Sequence, residues 1–204
     1  MKKAKRSAKA TTQASAKAKP KPKKGHRLVW IDCEMTGLDE NKCVLVEIAT
    51  IVTESDLTVV AEGPELVIHA TDAQLAAMPE VVREMHGKSG LTDRVRKSKV
   101  SLADAERDTV AFVRKHCRTK DIHVLCGNSI GTDRRFIARY MPKLDRHLSY
   151  RMIDVSSIKE LAKRWYPKAY DARPPKQKGH RALADIRESI AELAHWKASV
   201  FKDD

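Results

Sequence analysis

The chain has 204 residues, of which 42% are hydrophobic, enough to bury one substantial core but short for two ordinary domains. Its 40 Lys and Arg residues outnumber 27 Asp and Glu residues, giving a formal net charge of +13. No apolar run approaches the roughly 18 residues of a membrane span, so the sequence predicts a protein that does not cross a membrane.

The positive charge is concentrated in the first 26 residues. The stretch MKKAKRSAKATTQASAKAKPKPKKGH holds nine Lys, one Arg and no acid, which leaves 30 basic against 27 acidic residues from Arg27 onward. Because it has no apolar face to offset the entropy of ordering, we predict a disordered basic tail over 1–26 and a folded domain over 27–204. This tail either contacts nucleic acid or only aids solubility, and both alternatives stay open.

The cysteine pattern indicates the compartment. Four cysteines stand far apart, without a CxxC pair or the spacing of a secreted disulfide framework: Cys33, Cys43, Cys117 and Cys126. The tail also lacks the apolar segment of a secretory signal. A reducing, cytoplasmic location is therefore expected.

The first part of the folded domain reads as strands followed by a helix. Apolar, β-branched runs predict strands over 28–31 and 44–52 and two short extended pieces around Gly63-Pro64 within 57–69, together an antiparallel meander. From Ser101 the apolar residues recur at helical spacing, with Ser101 as N-cap and Asp104 three positions later.

The second part of the domain repeats a strand-to-helix order. The predicted elements are a strand over 123–126, a loop over 127–131, a helix over 132–141 stopped by Pro142, a strand over 151–155, a helix over 156–165, a Pro- and Lys-rich connection over 166–179 and a last helix over 182–200. A meander followed by such units predicts a mixed α/β sheet.

Two carboxylates stand where the first strand ends. Asp32 and Glu34 are two residues apart, so their side chains point to the same face of the sheet. Neighbouring carboxylates repel unless a positive group lies between them, and a hard divalent cation such as Mg²⁺ satisfies this requirement. The alternative is that both acids face solvent.

Other ionisable residues occupy comparable positions. Asp133 opens the helix after GNSIG, and Asp185 lies one turn into the last helix, five residues after His180. Each acid is also explained as a favourable partner of a helix dipole, and a single histidine is commonly only a surface or hydrogen-bonding residue. The combination of the residues, rather than any one of them, favours a catalytic centre.

Several longer motifs carry a family resemblance. The stretches IDCEMTGL, VLVEIAT, HVLCGNSIGTDRRFIARYMP, YRMIDVSSIKELAKRW and GHRALADIRESIAELAHW resemble oligoribonucleases, members of the DEDDh superfamily of 3′-to-5′ exonucleases, and the match runs from about Arg27 to about Trp196. The resemblance implies a ribonuclease H-like, five-stranded mixed sheet flanked by helices, in a single domain. It also implies that two Mg²⁺ or Mn²⁺ ions are held by Asp32, Glu34, Asp133 and Asp185, with His180 as the general base.

The same resemblance implies how substrates are chosen. Oligoribonucleases degrade very short RNA down to dinucleotides, including linear dinucleotides made from cyclic ones, because the site is closed beyond two bases. Leu38 would wedge between the bases, with Met35 and His86 near the substrate, and the 5′ phosphate would be capped by Ser129, Arg151, Ser156 and Ser157. Tyr150 of a second copy would stack on a base, so the resemblance implies a homodimer.

Some of these residues have plainer interpretations. Tyr150 and Arg151 are equally well explained as ordinary strand-edge residues, and His86 as a solvated loop histidine. The chain also departs from the family at Val81, where many relatives carry Trp, so base stacking there is weaker or supplied otherwise.

Two other functions are compatible with parts of the sequence. A broader DEDDh nuclease would need an open channel for long strands, against which the GNSIG and DVSS elements argue, because an open channel needs no phosphate cap. A non-catalytic nucleic-acid-binding protein built around the basic tail would bind phosphates without sequence preference. The presence of all five site residues argues against it.

Overall fold

The computed structural model describes residues 27–117, 123–175 and 181–201. The predicted basic tail (1–26) and His180 lie outside these residues. Fourteen helices and strands are found in the described part of the chain: β1 Leu28–Met35, β2 Leu45–Thr53, β3 Val59–Val67, α1 Asp72–Ala76, α2 Glu80–Lys88, α3 Leu91–Lys97, α4 Leu102–His116, β4 His123–Gly127, α5 Gly131–Tyr140, α6 Pro142–Asp145, β5 Leu148–Asp154, α7 Val155–Trp165, α8 Pro167–Asp171 and α9 Ala182–Ser199.

The strands form one five-stranded mixed sheet in the order β3-β2-β1-β4-β5. The first three strands are an antiparallel meander, as predicted, while β4 pairs parallel to β1 and β5 parallel to β4. Because β1, β4 and β5 run in the same direction, their carboxyl ends meet at one edge of the sheet. The loops and helix starts that follow these strands therefore lie close together.

The central strand β1 is buried on both faces. Val29, Ile31 and Cys33 belong to a core that includes residues of α4 and α5, whereas Trp30 belongs to a second core built with α7 and α9. The Trp30 indole N–H donates to Thr53 Oγ1 at 3.0 Å, which satisfies its polar atom inside the core. Such two-sided burial explains why this strand reads as an apolar run without polar alternation.

The observed elements differ from the prediction in several places. The expected two short pieces at 57–69 form one edge strand, β3, with irregular pairing to β2, and Pro64 is tolerated because an edge strand leaves one side unpaired. Pro142 begins the short helix α6 rather than only ending α5, and α8 lies in the predicted connection. The prediction assigned no element to residues 72–97, where the structure has α1, α2 and α3.

The predicted start of α4 is confirmed in detail. Ser101 accepts from the backbone N–H of Asp104, and the Asp104 side chain accepts from the backbone N–H of Ser101, forming a capping box.

None of the helices in the described part of the chain combines the length and the apolar character that a membrane span requires.

Two glycines give a matched test of the packing. A Cβ added at Gly63 would lie 2.7 Å from the backbone oxygen of Thr50 and 2.7 Å from Phe112 Cε1, whereas one added at Gly87, in α2, would meet no atom within 4 Å. We expect Gly63→Ala to lower the free energy of unfolding by about 1–3 kcal/mol through overpacking. Gly87→Ala should raise it by about 0.5–1 kcal/mol because alanine favours the helix. Urea denaturation of both variants measures the difference, and equal stabilities would contradict this account of the β2–β3 contact.

Candidate active site

Three carboxylates converge at the edge of the sheet where β1 ends. Asp32 and Glu34 lie inside β1, which extends further than predicted, and both point to the face covered by α9. Asp185, in the first turn of α9, faces them, and one carboxylate oxygen from each of the three residues lies within 4.8 Å of the others. This spacing suits oxygen ligands around a hard cation.

Asp133 lies beside this group, in the first turn of α5. Its side chain is buried, and its Oδ1 accepts a 2.9 Å hydrogen bond from the backbone N–H of Cys33, the residue between the two acids of β1. Its negative charge is the strongest of the neighbouring charges that raise the pKa of Asp32. The structure thus brings all four predicted acids to one place, with three in mutual contact distance and the fourth anchored to their strand.

Burial and mutual repulsion make these carboxylates unusually reluctant to ionise. Burial is the main cause that raises the pKa of Asp32 well above its ordinary value, and Asp133, Glu34 and Asp185 add to it. Burial, together with the charges of Asp185 and Glu47, raises the pKa of Glu34 to about 8. The pKa of Asp133 rises to about 7, again chiefly through burial. Bound divalent cations would compensate this concentration of negative charge.

Glu47 is a fifth acid at this place, which sequence reasoning passed over. It is fully buried on β2, directly opposite Glu34 in the strand pairing, and it binds Arg94, Arg181 and the backbone N–H of Ala182. A charged residue in the middle of the apolar run VLVEIATIV was the available signal, because buried glutamates are rare unless paired.

His86 has a different setting from the one considered in the sequence. It is buried in α2, so the solvated-loop interpretation is wrong. Its Nε2 donates to the backbone oxygen of Met35 at 2.9 Å, and its Nδ1 lies 3.9 Å from Glu34 Oε2. The sequence missed this because no helix was assigned to the segment. His86 is therefore bonded to the end of β1 and lies close to Glu34, one of the acids of the site.

The loop after β1 presents an apolar tip. Leu38 has 72% of its surface exposed, while the base of the loop is held by hydrogen bonds in both directions between Thr36 and Val44. Met35 is half-buried at the end of β1. Val81, on α2, is 78% exposed and offers no aromatic ring.

The predicted phosphate-cap serines gather around Asp154, the N-cap of α7. Asp154 Oδ1 accepts from the backbone N–H groups of Ser129 and Ser156, and its Oδ2 accepts from the Ser157 hydroxyl. Ser129 has a positive φ of 53°, a conformation that non-glycine residues adopt mainly where the surroundings impose it. The sequence signal for Asp154 was its place as an acid directly before Ser-Ser at a helix start.

Asn128 connects these serines to α9. Its Nδ2 donates to Ser189 Oγ at 2.7 Å and to Glu192 Oε2 at 3.3 Å, so its Oδ1 must face Ser156, whose hydroxyl donates to it at 3.0 Å. The Ser156 hydrogen is therefore engaged in this arrangement, and the Ser129 hydroxyl, 3.2 Å from Ser156 Oγ, is the exposed hydroxyl of the pair.

Tyr150 and Arg151 lie on β5, the other edge strand. Tyr150 is 80% exposed, and the Arg151 guanidinium sits 5.1 Å from the centre of its ring. Within the described part of the chain, Arg151 makes no hydrogen bond to Ser129, Ser156 or Ser157. The described structure therefore does not join Arg151 to the three serines by hydrogen bonds.

Comparison with known proteins now identifies the family. A family model described as an exonuclease matches residues 29–193. The chain is 59% identical to an oligoribonuclease of Rhodococcus jostii over 86% of this chain and 88% of that protein, and 55% identical to one of Mycobacterium ulcerans over 85% and 81%. The chain belongs to the oligoribonuclease family.

Solved structures agree on the fold. Escherichia coli exonuclease I in complex with a dT13 oligonucleotide superposes with a TM-score of 0.67 at 15% identity, covering 87% of this chain and 42% of that one. Its zinc-bound form in a complex with single-stranded DNA gives a TM-score of 0.66 at 15% identity. The chain spans about two-fifths of those larger chains, with which it shares the exonuclease fold. Family membership makes it a hydrolase, a divalent-metal-dependent 3′-to-5′ exonuclease.

The raised pKa of Glu34 predicts how the stability of the metal-free protein responds to pH. A carboxyl whose pKa rises from 4.5 when unfolded to about 8 when folded stabilises the fold at low pH, and this contribution is lost as the pH rises between those values. The melting temperature in chelator should therefore fall from about pH 5.5 to about pH 8.5. Glu34→Gln should reduce that fall, whereas Glu160→Gln, at an exposed acid with a lowered pKa, should leave it unchanged. An equal fall in melting temperature with pH for the wild type and Glu34→Gln would contradict the raised pKa of Glu34.

Proposed function

We propose that this protein is an exoribonuclease that removes 5′-mononucleotides from the 3′ end of very short RNA, with dinucleotides as preferred substrates. Linear dinucleotides made from cyclic dinucleotides fall in this class. The observation that carries the proposal is the convergence of Asp32, Glu34 and Asp185, with Asp133 beside them, at the sheet edge where the loop after β1 and the serine-rich turn after β4 also begin. The oligoribonuclease relatives support the choice of RNA over other phosphodiesters.

The four carboxylates fit a pair of Mg²⁺ or Mn²⁺ ions. They supply only oxygen ligands, and burial together with neighbouring negative charges raises the pKa of Asp32, Glu34 and Asp133, so that bound cations would offset the charge that the three carry when ionised. Two such ions, when bound, neutralise charge on the phosphate and lower the pKa of the attacking water. Asp32, Glu34, Asp133 and Asp185 would hold them.

His180 is the proposed general base. It immediately precedes Arg181, the N-cap of α9, whose side chain forms ion pairs with Glu47 and Glu65. Arg181 in turn lies one helical turn before Asp185. An imidazole with an ordinary pKa of about 6.5 can accept a proton from water at neutral pH and release it again. Neither Arg nor Lys at this position could do so.

The length of the substrate is set by the loop tip and the cap. The exposed Leu38 has an apolar surface that suits wedging between two bases, with Met35 and the buried His86 supporting the loop from below. Ser129, Ser156, Ser157 and Arg151 would enclose the 5′ phosphate, Arg151 supplying the charge. Asp154 already engages several of these donors, so we place the Ser129 hydroxyl and Arg151 foremost among the phosphate contacts.

A homodimer would complete the site. Tyr150 is exposed on an edge strand, and further large apolar side chains are exposed on β5 and α7 and just after α7: Met152, Leu161, Trp165 and Tyr166. Edge strands and apolar patches of this kind commonly serve as contact surfaces. We propose that a second copy covers this region and that its Tyr150 stacks on a base of the neighbouring substrate.

The setting of the enzyme follows from the remaining sequence features. Cys33, Cys43 and Cys126 are free thiols, which agrees with a cytoplasmic location. The basic tail would add a weak, salt-sensitive attraction to nucleic acid or serve solubility only. A purely nucleic-acid-binding protein has no use for a buried acidic group that repels phosphate.

The test of this function is hydrolysis of a length series. We expect 5′-phosphorylated RNAs from dinucleotides up to roughly ten nucleotides to be cleaved with Mg²⁺, with kcat/KM falling at least about 10-fold beyond the shortest members. EDTA should abolish turnover, and excess Mn²⁺ or Mg²⁺ should restore it. Equal kcat/KM at every length would favour an exonuclease with an open channel, and turnover in EDTA would refute the metal-dependent reaction.

The role of His180 has a separate test. His180→Ala should lower kcat by about 10²–10⁴-fold through loss of a positioned base. Its Mn²⁺ affinity should stay at the wild-type value, because the imidazole is not proposed as a metal ligand. His69→Ala, at an exposed histidine remote in sequence from the acidic group, is the matched control. A wild-type rate for His180→Ala would assign the proton to another group.

A further inference from the structure

Glu47 lies beside the proposed metal site, but its carboxylate is bonded to protein groups. It stands opposite Glu34 in the β1–β2 pairing, and directly opposed residues of antiparallel strands point to the same face. Its carboxylate is nevertheless outside the group of three whose ligand atoms lie within 4.8 Å of one another. A fully buried acid beside the proposed metal site, and not in it, needs another explanation.

Both oxygens of Glu47 have partners. Oε1 accepts from Arg94 at 3.1 Å and from Arg181 at 3.4 Å, while Oε2 accepts from the backbone N–H of Ala182 at 3.2 Å. Such charge-assisted bonds at a buried site are among the stronger hydrogen bonds in proteins. Because no oxygen is left unengaged, Glu47 is suited to holding protein groups in place rather than an ion.

Two of the three groups that Glu47 holds belong to the start of α9, and the third, Arg94, lies on α3. Ala182 is the first residue of α9, and Arg181, its N-cap, makes no side-chain capping hydrogen bond. Glu47 therefore supplies the acceptor, and the negative charge near a helix N-terminus, that a capping Ser or Asp usually supplies. Glu47 itself lies on β2, the strand that pairs with β1, and β1 carries Asp32 and Glu34.

This cross-element cap fixes the distance between the two halves of the acidic group. Asp185 lies in the same first turn, where its backbone N–H donates to the Arg181 oxygen at 2.9 Å. Asp32 and Glu34 are paired through β1 to the strand that carries Glu47. A shift of the helix start relative to β2 would move Asp185 away from both acids.

We infer that Glu47 is a positioning residue, which docks the first turn of α9 onto β2 and thereby sets the spacing of Asp185 from Asp32 and Glu34 for cation binding. This inference rests on the proposed metal site. Partners that orient metal ligands without touching the ion typically change metal affinity by about 10–100-fold when they are removed.

The test measures Mn²⁺ binding to the full-length, metal-free protein without substrate, by calorimetry at a temperature where all variants are folded. Glu47→Gln should weaken Mn²⁺ binding by about 10-fold or more, because an amide cannot accept from both arginines and Ala182. Glu47→Asp keeps the charge but is one methylene shorter, so it should also weaken binding. The matched control is Glu62→Gln, which removes the exposed ion pair between β3 and Arg187 of the same helix α9 and should leave the affinity unchanged.

The outcomes separate the inference from the proposed function. A wild-type protein that binds no Mn²⁺ would refute the metal site itself, and the inference with it. Wild-type affinity in Glu47→Gln would overturn the inference alone, and so would wild-type affinity in Glu47→Asp, because it would show that the charge and not the reach of the side chain matters. If neither variant folds, amide hydrogen exchange of the wild type decides: the Ala182 N–H should be protected, and rapid exchange would overturn the proposed cap.

Discussion

Electrostatic repulsion among closely spaced, partly buried carboxylates is the constraint on which the rest of the site depends. Asp32, Glu34 and Asp185 are held within a few ångströms of one another although each would be more stable apart and in water. Only a rigid frame can impose such an arrangement. Here the frame is the strand β1, buried on both faces, together with helices α5 and α9, whose first turns reach the same edge of the sheet.

The anchors that resist this repulsion are polar contacts of the neighbouring elements. Asp133 is tied to the Cys33 backbone, His86 to the Met35 carbonyl, and Glu47 to the start of α9. Each contact joins an element of the site to β1 or to its neighbour β2. The free energy that the hydrophobic cores contribute to folding therefore also offsets the cost of assembling like charges, and cations complete the balance.

Much of the architecture could be predicted from the sequence, and the failures have identifiable causes. The meander and both strand-helix units were predicted, because strand alternation, helix spacing and strong caps are local signals. The convergence of the four acids was implied by the resemblance to oligoribonucleases, since it depends on tertiary packing. Helices α1, α2 and α3 were not predicted, since they are short and mostly polar, and their burial comes from packing on β2. The burial of His86 was not predicted either, because His86 lies in α2. The role of Glu47 was not predicted, because it depends on Arg94 and Arg181, which are 47 and 134 residues away in the chain.

A continuous chain of hydrogen bonds joins the proposed phosphate cap to Asp185. The Ser129 and Ser156 hydroxyls lie together at the proposed phosphate cap, Ser156 donates to Asn128, Asn128 donates to Ser189, and Ser189 donates to the backbone oxygen of Asp185. A residue of the cap is thus linked to an acid of the proposed metal site through side chains that are half-buried or buried in the described structure. If the 5′ phosphate and the scissile phosphate are bound at the two ends of this chain, their separation is fixed by the packing of β4, α7 and α9 and not by a mobile loop. In that case, stretching the frame to suit a longer RNA would disturb close packing, and the preference for short RNA would be a property of the fold itself.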